Sequence, residues 1–527
     1  MHGKNRIGYN LLETELGTVK AFSPITKESL PEKFDVAGQD EVNAALEQAE
    51  KAFGAYKYVS AAKKADFLDA IADEILALGD ALIERACLES ALPEGRIRGE
   101  RGRTMGQLKM FATLLRDGSW VEASIEPAMP DREPLPRADL RKMLRPVGPV
   151  VVFTASNFPL AFSTAGGDTS SALAAGNPVI VKAHESHLGT NEMVSDAIAR
   201  AAEKTGMPDG VFSSLTGNGY EIGKQLVQHP KAKSVAFTGS FKGGKALYDL
   251  ANERENPIPV FAEMGSINPV FVMPDKVAAD PEGLAKATAG SINMGVGQFC
   301  TNPGLIIGIE SDALSTYIST LAKETESMQA TAMLNSGIAK AYKAGAENAG
   351  SQNGVQVLAK GAEAEEGLEG QSTVATVSAA DFLKNPELQH EVFGPFSLVV
   401  TCADSAEVEK VIASLSGQLT TTFLATEKDV AEFDQIIKDA SELCGRLIFN
   451  SFPTGVEVCH SMQHGGPYPA ATDSRFTSVG TGAIKRFVRP VCYQDAPKSI
   501  LPEELHDDNP LDIWRLVNGA WTKDKIA

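Results

Sequence analysis

VGPVVVFTASNFPL, residues 147–160, is the stretch from which the fold can be read. Its apolar run, Val147 to Phe153 with one Gly-Pro, is too short for a helix and too continuous for a half-exposed strand. It predicts a strand covered on both faces. The run ends in a polar turn that carries Asn157 and Pro159. NPVIVKAHESH (177–187), GVFSSLTG (210–217) and KSVAFTGS (233–240) repeat the form, each a short branched run with a polar or glycine-containing end. Helical segments lie between them, around Ser170 to Gly176, from Asn191 to Thr205 and through Glu221 to Val227. Such alternation predicts a doubly wound α/β unit on a parallel sheet.

Working outward, residues 1 to about 35 read as an irregular arm with one or two short strands. From Asp40 to Ser90 apolar residues recur at helical spacing, which predicts two or three packed helices. TMGQLKMFATLLRDG (104–118) predicts another, with Arg98, Arg101 and Arg103 near its start. Downstream, residues 257–274 begin a second region, and a helix-like stretch from Gly283 to Ile292 runs up to a glycine-rich turn. Further alternation reaches GRLIFNSFPTG (445–455). AIKRFVRPV (483–491) is strand-like and lies beyond the last domain, so it needs a sheet to join, such as one in a partner subunit.

A chain of 527 residues has room for two or three domains. Its 49 Lys and Arg against 68 Asp and Glu give a formal net charge of −19, which argues against nucleic-acid or anionic-membrane partners. The start lacks the apolar segment of a signal peptide, and no apolar stretch is long enough to span a membrane. The six cysteines form no CxxC pair or dense Cys/His cluster, which predicts a reduced, cytoplasmic protein without structural zinc.

One cysteine stands apart. Cys300 lies in GVGQFCTNPG (295–304), among glycines and turn-forming residues that leave room for reactants at the sulfur. A free core thiol and a nucleophilic thiolate are its two readings. The second needs a base and an oxyanion donor. Glu263, in VFAEMGSINP, is either a cap on local backbone or that base, and Asn157 either holds its own turn or donates to the oxyanion. GNGYEIG (217–223), with Gly219 and Gly223, and FTGS, with Thr238, Gly239 and Ser240, are turns at successive strand ends, the place for a nucleotide. Lys182 would sit on the same rim.

TASNFPLAFSTAG, VIVKAHESH, FTGS, FAEMGSINP, GQFCTNPG and HEVFGPF together resemble the aldehyde dehydrogenase superfamily, in order and across almost the whole chain. NSFPTGVEVCHSMQHGGPYPAATDSRFTSVG and the ending LPEELHDDNPLDIWRLVNGAW resemble the branch of α-ketoglutaric semialdehyde (2,5-dioxopentanoate) dehydrogenases and the fatty aldehyde dehydrogenase of luminous bacteria. The resemblance implies an α/β fold with a Rossmann-like cofactor domain (1–135 and 158–270), an α/β catalytic domain (271–470), oligomerisation strands (136–157 and 478–500) and a tail (501–527). It implies a homodimer or homotetramer. It further implies that Cys300 attacks an aldehyde, that hydride leaves to a nicotinamide, and that Glu263 activates water to hydrolyse the thioester. Lys182 would bind the adenosine ribose, Ser240 would lie at the pyrophosphate, and Glu391 and Phe393 would hold the nicotinamide ribose and ring. His460 would lie near the thiol, among the substrate-binding residues, or be a buried hydrogen-bonded histidine.

Two specificities follow. The bacterial fatty aldehyde dehydrogenase grips the 2′-phosphate of NADP with a small hydroxyl residue and an arginine, where this chain has Glu185 and Tyr220. A carboxylate accepts from ribose hydroxyls and repels phosphate, so NAD is preferred, with NADP the alternative. For the aldehyde, a 2-oxo acid semialdehyde needs a cation, for which Arg103, its neighbours Arg98 and Arg101, and Arg475 are candidates. A fatty aldehyde needs apolar walls, for which Phe158, Phe162, Phe111 and Phe452 are candidates. The arginine-rich RIRGERGR favours the semialdehyde. A non-redox acyl-transfer hydrolase and an inactive relative are the readings of another class. The first needs no nucleotide crevice, and the second would have lost Cys300, Glu263 or Asn157.

Overall fold

The structure, a computed structural model, describes residues 1–217, 219–365 and 367–526. The run VVVF forms the strand Val150–Phe153, buried at every position. It occupies the middle of a seven-stranded sheet. Val179–Lys182 and Phe212–Leu215 follow on one side, and Ser234–Thr238 and Val260–Glu263 on the other. These five strands are parallel. Asn5–Ile7 and Asn10–Leu12 extend the sheet as antiparallel additions, so part of the expected irregular arm is sheet. Strand order reverses direction between Val150–Phe153 and Ser234–Thr238, which opens a crevice beyond their carboxyl ends. Asn157, Lys182, the Thr238–Ser240 turn and Glu263 all lie at or just beyond that edge. Full burial of each branched side chain here contributes about 1.5–3 kcal/mol, so polar substitution in VVVF would be costly.

The expected boundary at 157 does not hold. Leu140–Pro146 belongs to a five-stranded sheet, whereas Val150–Phe153 is central to the first, because a four-residue run buried on both faces needs cover on both. Ser124–Glu126, inside the segment assigned to the cofactor domain, pairs with Leu140–Pro146. The stretch assigned as a tail contributes Arg515–Val517 and Ala520–Thr522 to the same sheet. The strand Val488–Gln494 finds its neighbour within the chain, pairing over seven residues with Leu140–Pro146, and is left at the sheet edge.

Four helices, Gln39–Tyr56, Ala61–Ala77, Gly79–Ser90 and Glu94–Asp117, precede the first parallel strand. The last begins ten residues earlier than its apolar pattern suggests, so the arginines lie within it. Helical geometry then sorts them: Arg96, Glu100 and Arg103, at i, i+4 and i+7, share one face. Glu100 is 4% exposed and accepts from the backbone N–H groups of Leu160 and Ala161 at 2.8 and 3.0 Å, fixing the helix against the Asn157 turn.

A second seven-stranded sheet carries Val270–Val272 between Leu305–Ile309 and Gln418–Leu424, with Cys444–Phe449 at one edge. All neighbours are parallel except Gln356–Lys360 with Thr373–Ser378. From this region the chain crosses back at Ala470–Thr472. Met264 N–H donates to Ala470 at 2.8 Å, Thr472 N–H donates to Ala262 at 3.0 Å, and Glu263 bridges Ala471. A boundary at 470 therefore cuts through the structure that surrounds Glu263.

Candidate active site

Cys300 follows a 3₁₀ turn, Met294–Gly297, in which Gly295, Val296 and Gly297 all have positive φ (57°, 58° and 64°). A Cβ at Gly297 would stand 2.3 Å from the backbone of Gly394. The glycines are therefore required by backbone geometry and, at Gly297, by the close crossing of the segment at Gly394, beyond leaving space at the sulfur. A branched valine at positive φ is strained backbone beside the reactive residue. Asn268, buried and itself at φ 48°, fixes the turn by donating through Nδ2 to the Cys300 and Asn302 carbonyls, both at 2.9 Å.

The thiol does not meet Glu263 alone. Cys300 Sγ lies 3.5 Å from His464 Nε2, and the same nitrogen lies 3.0 Å from Glu263 Oε1. His464 is 1% exposed and Glu263 5%. Ser478 Oγ donates to Glu263 Oε2 at 2.5 Å, and Thr477 Oγ1 accepts from the His464 backbone N–H at 2.9 Å. Burial, reinforced by the Glu263 charge, pushes the Cys300 thiol well up. Burial acts to raise Glu263 too, but the His464 charge and hydrogen bonds from His464, Ser478 and Cys300 hold it below the usual carboxylate range. A protonated thiol thus lies beside an ionised carboxylate, with the His464 Nε2 in reach of both, a constellation suited to nucleophilic attack and later water activation.

His460 is displaced from the role the sequence suggested. It is exposed and meets Thr481 Oγ1 at 3.1 Å, four residues from the histidine that reaches the sulfur. The signal for His464 was the following Gly-Gly: a Cβ at Gly465 would stand 2.8 Å from Phe476 O, and one at Gly466 2.1 Å from Gln418 O. Asn157 Nδ2 donates to Gln298 O at 3.0 Å, which brings that amide to the cysteine turn. Ser478 and Asn268 carried no motif signal of their own.

The residues nominated for a cofactor gather along the crevice. Lys182 is buried and hydrogen-bonded to Glu185. A Cβ at Gly219 would stand 3.3 Å from Glu185 Oε1, so the start of the helix Gly219–Gln228 adjoins the pair. Burial opposes ionisation of Glu185, yet the Lys182 charge leads the effects that hold it below its ordinary range. Gly223 packs against Phe153. Thr238 pairs in register with Glu263, Gly239 N–H donates to the Glu263 carbonyl at 3.1 Å, and Ser240 caps the helix Phe241–Asn252. Glu391 and Phe393 line a cavity with Phe299 and Asn302, where burial pushes Glu391 up to about 7. Two observations fit a dinucleotide here: Thr238 Oγ1 is buried without a partner, and the helices Gly219–Gln228 and Phe241–Asn252 both begin after strands that end at this crevice.

The substrate candidates divide. Phe158 meets Phe162 and Phe299 edge to face at 5.2 and 5.6 Å, and Phe162 lies 6.2 Å from the His464 ring. Arg103 is largely buried, its guanidinium 5.7 Å from the Phe162 ring. Arg475 instead pairs with Asp473 at the surface, and Arg98 pairs with Asp80 and Glu94, while Arg101 caps Gly79. Phe111 is core, and Phe452 packs with the apolar cluster around Val272 and Ile292. Hydrophobic periodicity cannot separate a wall from a core when both require an aromatic ring.

Residues 12–473 match the model of the aldehyde dehydrogenase family. The chain belongs to that family. It is 50% identical over 518 residues to alpha-ketoglutaric semialdehyde dehydrogenase 2 of Azospirillum brasilense, covering 98% of this chain and 99% of that one. It is 46% identical over 524 residues to the alpha-ketoglutaric semialdehyde dehydrogenase of Acinetobacter baylyi, covering 99% of each. Its fold is similar to that of a 1-pyrroline-5-carboxylate dehydrogenase from Thermus with bound NAD, with a TM-score of 0.78, 22% identity, and coverage of 94% of this chain and 92% of that one. This aldehyde dehydrogenase is an NAD(P)-dependent enzyme that oxidises an aldehyde. Among its described residues no helix is long and apolar enough to cross a membrane.

Proposed function

We propose that this aldehyde dehydrogenase oxidises 2,5-dioxopentanoate, the semialdehyde of 2-oxoglutarate, to 2-oxoglutarate, with NAD preferred over NADP. The observation that carries the reading is 50% identity over nearly the full length to an enzyme of that name. The half-buried Arg103, whose guanidinium lies over the Phe162 ring that faces His464, supports an anionic aldehyde. The thiol proton passes to the Glu263–His464 pair, and the Cys300 sulfur bonds to the aldehyde carbon to form a thiohemiacetal. Asn157 Nδ2 and the Cys300 backbone N–H steady its oxygen. When bound, NAD accepts the hydride that leaves this carbon. Glu263, with His464 beside it, then draws a proton from water, which attacks the remaining thioester and releases the carboxylic acid and the thiol.

Lys182 and Glu185 would hold the adenosine ribose, the Gly219–Gln228 and Phe241–Asn252 helix starts with Ser240 the pyrophosphate, and Glu391 and Phe393 the nicotinamide side. An ionised Glu185 next to Gly219 supports the NAD preference, because a 2′-phosphate would face a carboxylate. The open edge at Val488–Gln494 supports a homo-oligomer, and reduced free cysteines suit the cytoplasm. Initial rates of NADH formation on 2,5-dioxopentanoate, hexanal and decanal test the substrate. The semialdehyde has the highest kcat/KM; a higher value for decanal would replace this reading with fatty aldehyde oxidation.

A further inference from the structure

Arg103, on the helix Glu94–Asp117, and Arg446, on the edge strand Cys444–Phe449, converge on one short segment. Arg103 Nη1 donates to the Val456 carbonyl. Arg446 Nη1 and Nη2 donate to the Gly455 and Pro453 carbonyls at 2.7 and 2.8 Å. Both therefore hold Pro453 to Val456 from two sides. That segment stands beside the reacting groups. Arg103 stacks on Phe162, which faces His464. Arg446 follows Gly445, where a Cβ would lie 2.2 Å from Gly465 O, the residue after His464.

Both arginines are incompletely satisfied. Two buried arginines, Arg85 and Arg486, have carboxylate partners in Glu89 and Asp168, although Arg85 Nε also lacks a hydrogen-bond partner. Arg103 and Arg446 form no such ion pair among the described residues. Arg103 Nε and Nη2 and Arg446 Nε are buried without a hydrogen-bond partner. Arg254 is also bonded to carbonyls alone, but all three of its nitrogens are engaged. Arg515 retains an unpaired Nε, yet it belongs to the C-terminal strands, away from the thiol. Burial lowers the pKa of both arginines, opposed at Arg103 first by the Glu100 charge, and a Cys300 thiolate would lie within electrostatic range of both. Two half-buried cations bonded only to neutral carbonyls gain when a carboxylate takes their place, since it adds the attraction of an opposite charge and accepts both arms of a guanidinium.

We propose that Arg103 and Arg446 form a two-arginine receiving site for the carboxylate at the far end of the aldehyde substrate, which replaces carbonyls of the Pro453–Val456 segment as their acceptor. The inference rests on the reading of the substrate as a 2-oxo acid semialdehyde and names the groups that recognise its charged end. Pro453–Val456 shifts as the substrate binds, and the aldehyde carbon is left at Cys300.

The test compares native enzyme with Arg446→Met, Arg446→Lys and Arg103→Met, using 2,5-dioxopentanoate and pentanal, an uncharged aldehyde of equal length. Glutarate is added as an inhibitor of pentanal oxidation. Either methionine variant lowers the semialdehyde-to-pentanal ratio of kcat/KM at least about tenfold, mainly through KM, and weakens glutarate inhibition by a similar factor. Arg446→Lys recovers part of both effects. The proposal is overturned if the ratio is maintained, if both substrates lose activity equally, or if glutarate does not inhibit the native enzyme. A native enzyme without preference for the semialdehyde, but with glutarate inhibition that depends on the arginines, would reject the substrate reading and leave the receiving site standing.

Discussion

His464 Nε2 lies 3.5 Å from Cys300 Sγ, across 164 residues of sequence, and its imidazole carries that contact on to Glu263 at 3.0 Å. The nucleophile thus has its proton acceptor at hand before any reactant binds. His464→Asn lowers kcat/KM by about 10²–10⁴, the usual contribution of a positioned base. The same variant slows alkylation of Cys300 by iodoacetamide at neutral pH. An unchanged alkylation rate would remove His464 from the first proton transfer.

Glu263 acts later. Glu263→Gln retains the shape of the carboxylate but draws no proton from water, so thioester accumulates. Rapid mixing should show a burst of NADH close to one equivalent, followed by steady turnover at least about 10²-fold slower than native. Loss of the burst together with turnover would place Glu263 in thiol activation instead.

On the proposed reading, Glu185 discriminates between cofactors by charge. Its carboxylate, kept ionised by Lys182, repels a 2′-phosphate. Glu185→Gln removes that charge, and kcat/KM with NADP rises at least about tenfold relative to NAD. An unaltered ratio would mean that the adenosine ribose lies elsewhere.

Glu391 and Glu263 give opposite pH dependences of stability. Burial pushes Glu391 up to about 7, so the folded protein retains a proton that the unfolded chain releases near the ordinary carboxylate value. Its contribution is full below about pH 4.5 and lost as pH rises to about 7. Glu263, held low, contributes above the ordinary carboxylate value and loses that contribution as pH falls through its folded pKa. Urea unfolding of Glu391→Gln between pH 5 and 8 should show a shallower fall in stability toward high pH than the native enzyme.

Asn268 holds the cysteine turn with two 2.9 Å bonds at positive φ. Asn268→Ala loses those bonds and adds strain in the left-handed region, a cost of at least about 2 kcal/mol. Asn268→Gly loses the bonds without the strain. Chemical denaturation should therefore rank native above Gly and Gly above Ala; equal losses would assign the whole effect to the hydrogen bonds.

Local patterning made the central parallel strands legible, because VVVF and VIVK are too short and too apolar to be anything but buried strands. It also singled out Cys300, whose neighbours are too small to form ordinary core. The strand boundaries near 157 and 470 were not legible. Whether a run joins one sheet or another depends on partners hundreds of residues away, as with Thr472 and Ala262.

By itself, the amino-acid sequence determined an α/β fold of the aldehyde dehydrogenase family, and it singled out Cys300, Glu263 and Glu185 as candidates. These follow from chemistry carried within a few consecutive residues. Only the tertiary structure decided that His464 and not His460 reaches the sulfur, and that Arg103 turns inward while Arg475 turns to Asp473 at the surface. Both pairs contain identical side chains in similar local sequence. What separates their members is which backbone can approach another, at Gly465 against Phe476, and which face of a helix meets the Asn157 turn. Long-range packing sets those relations, and no local pattern encodes them.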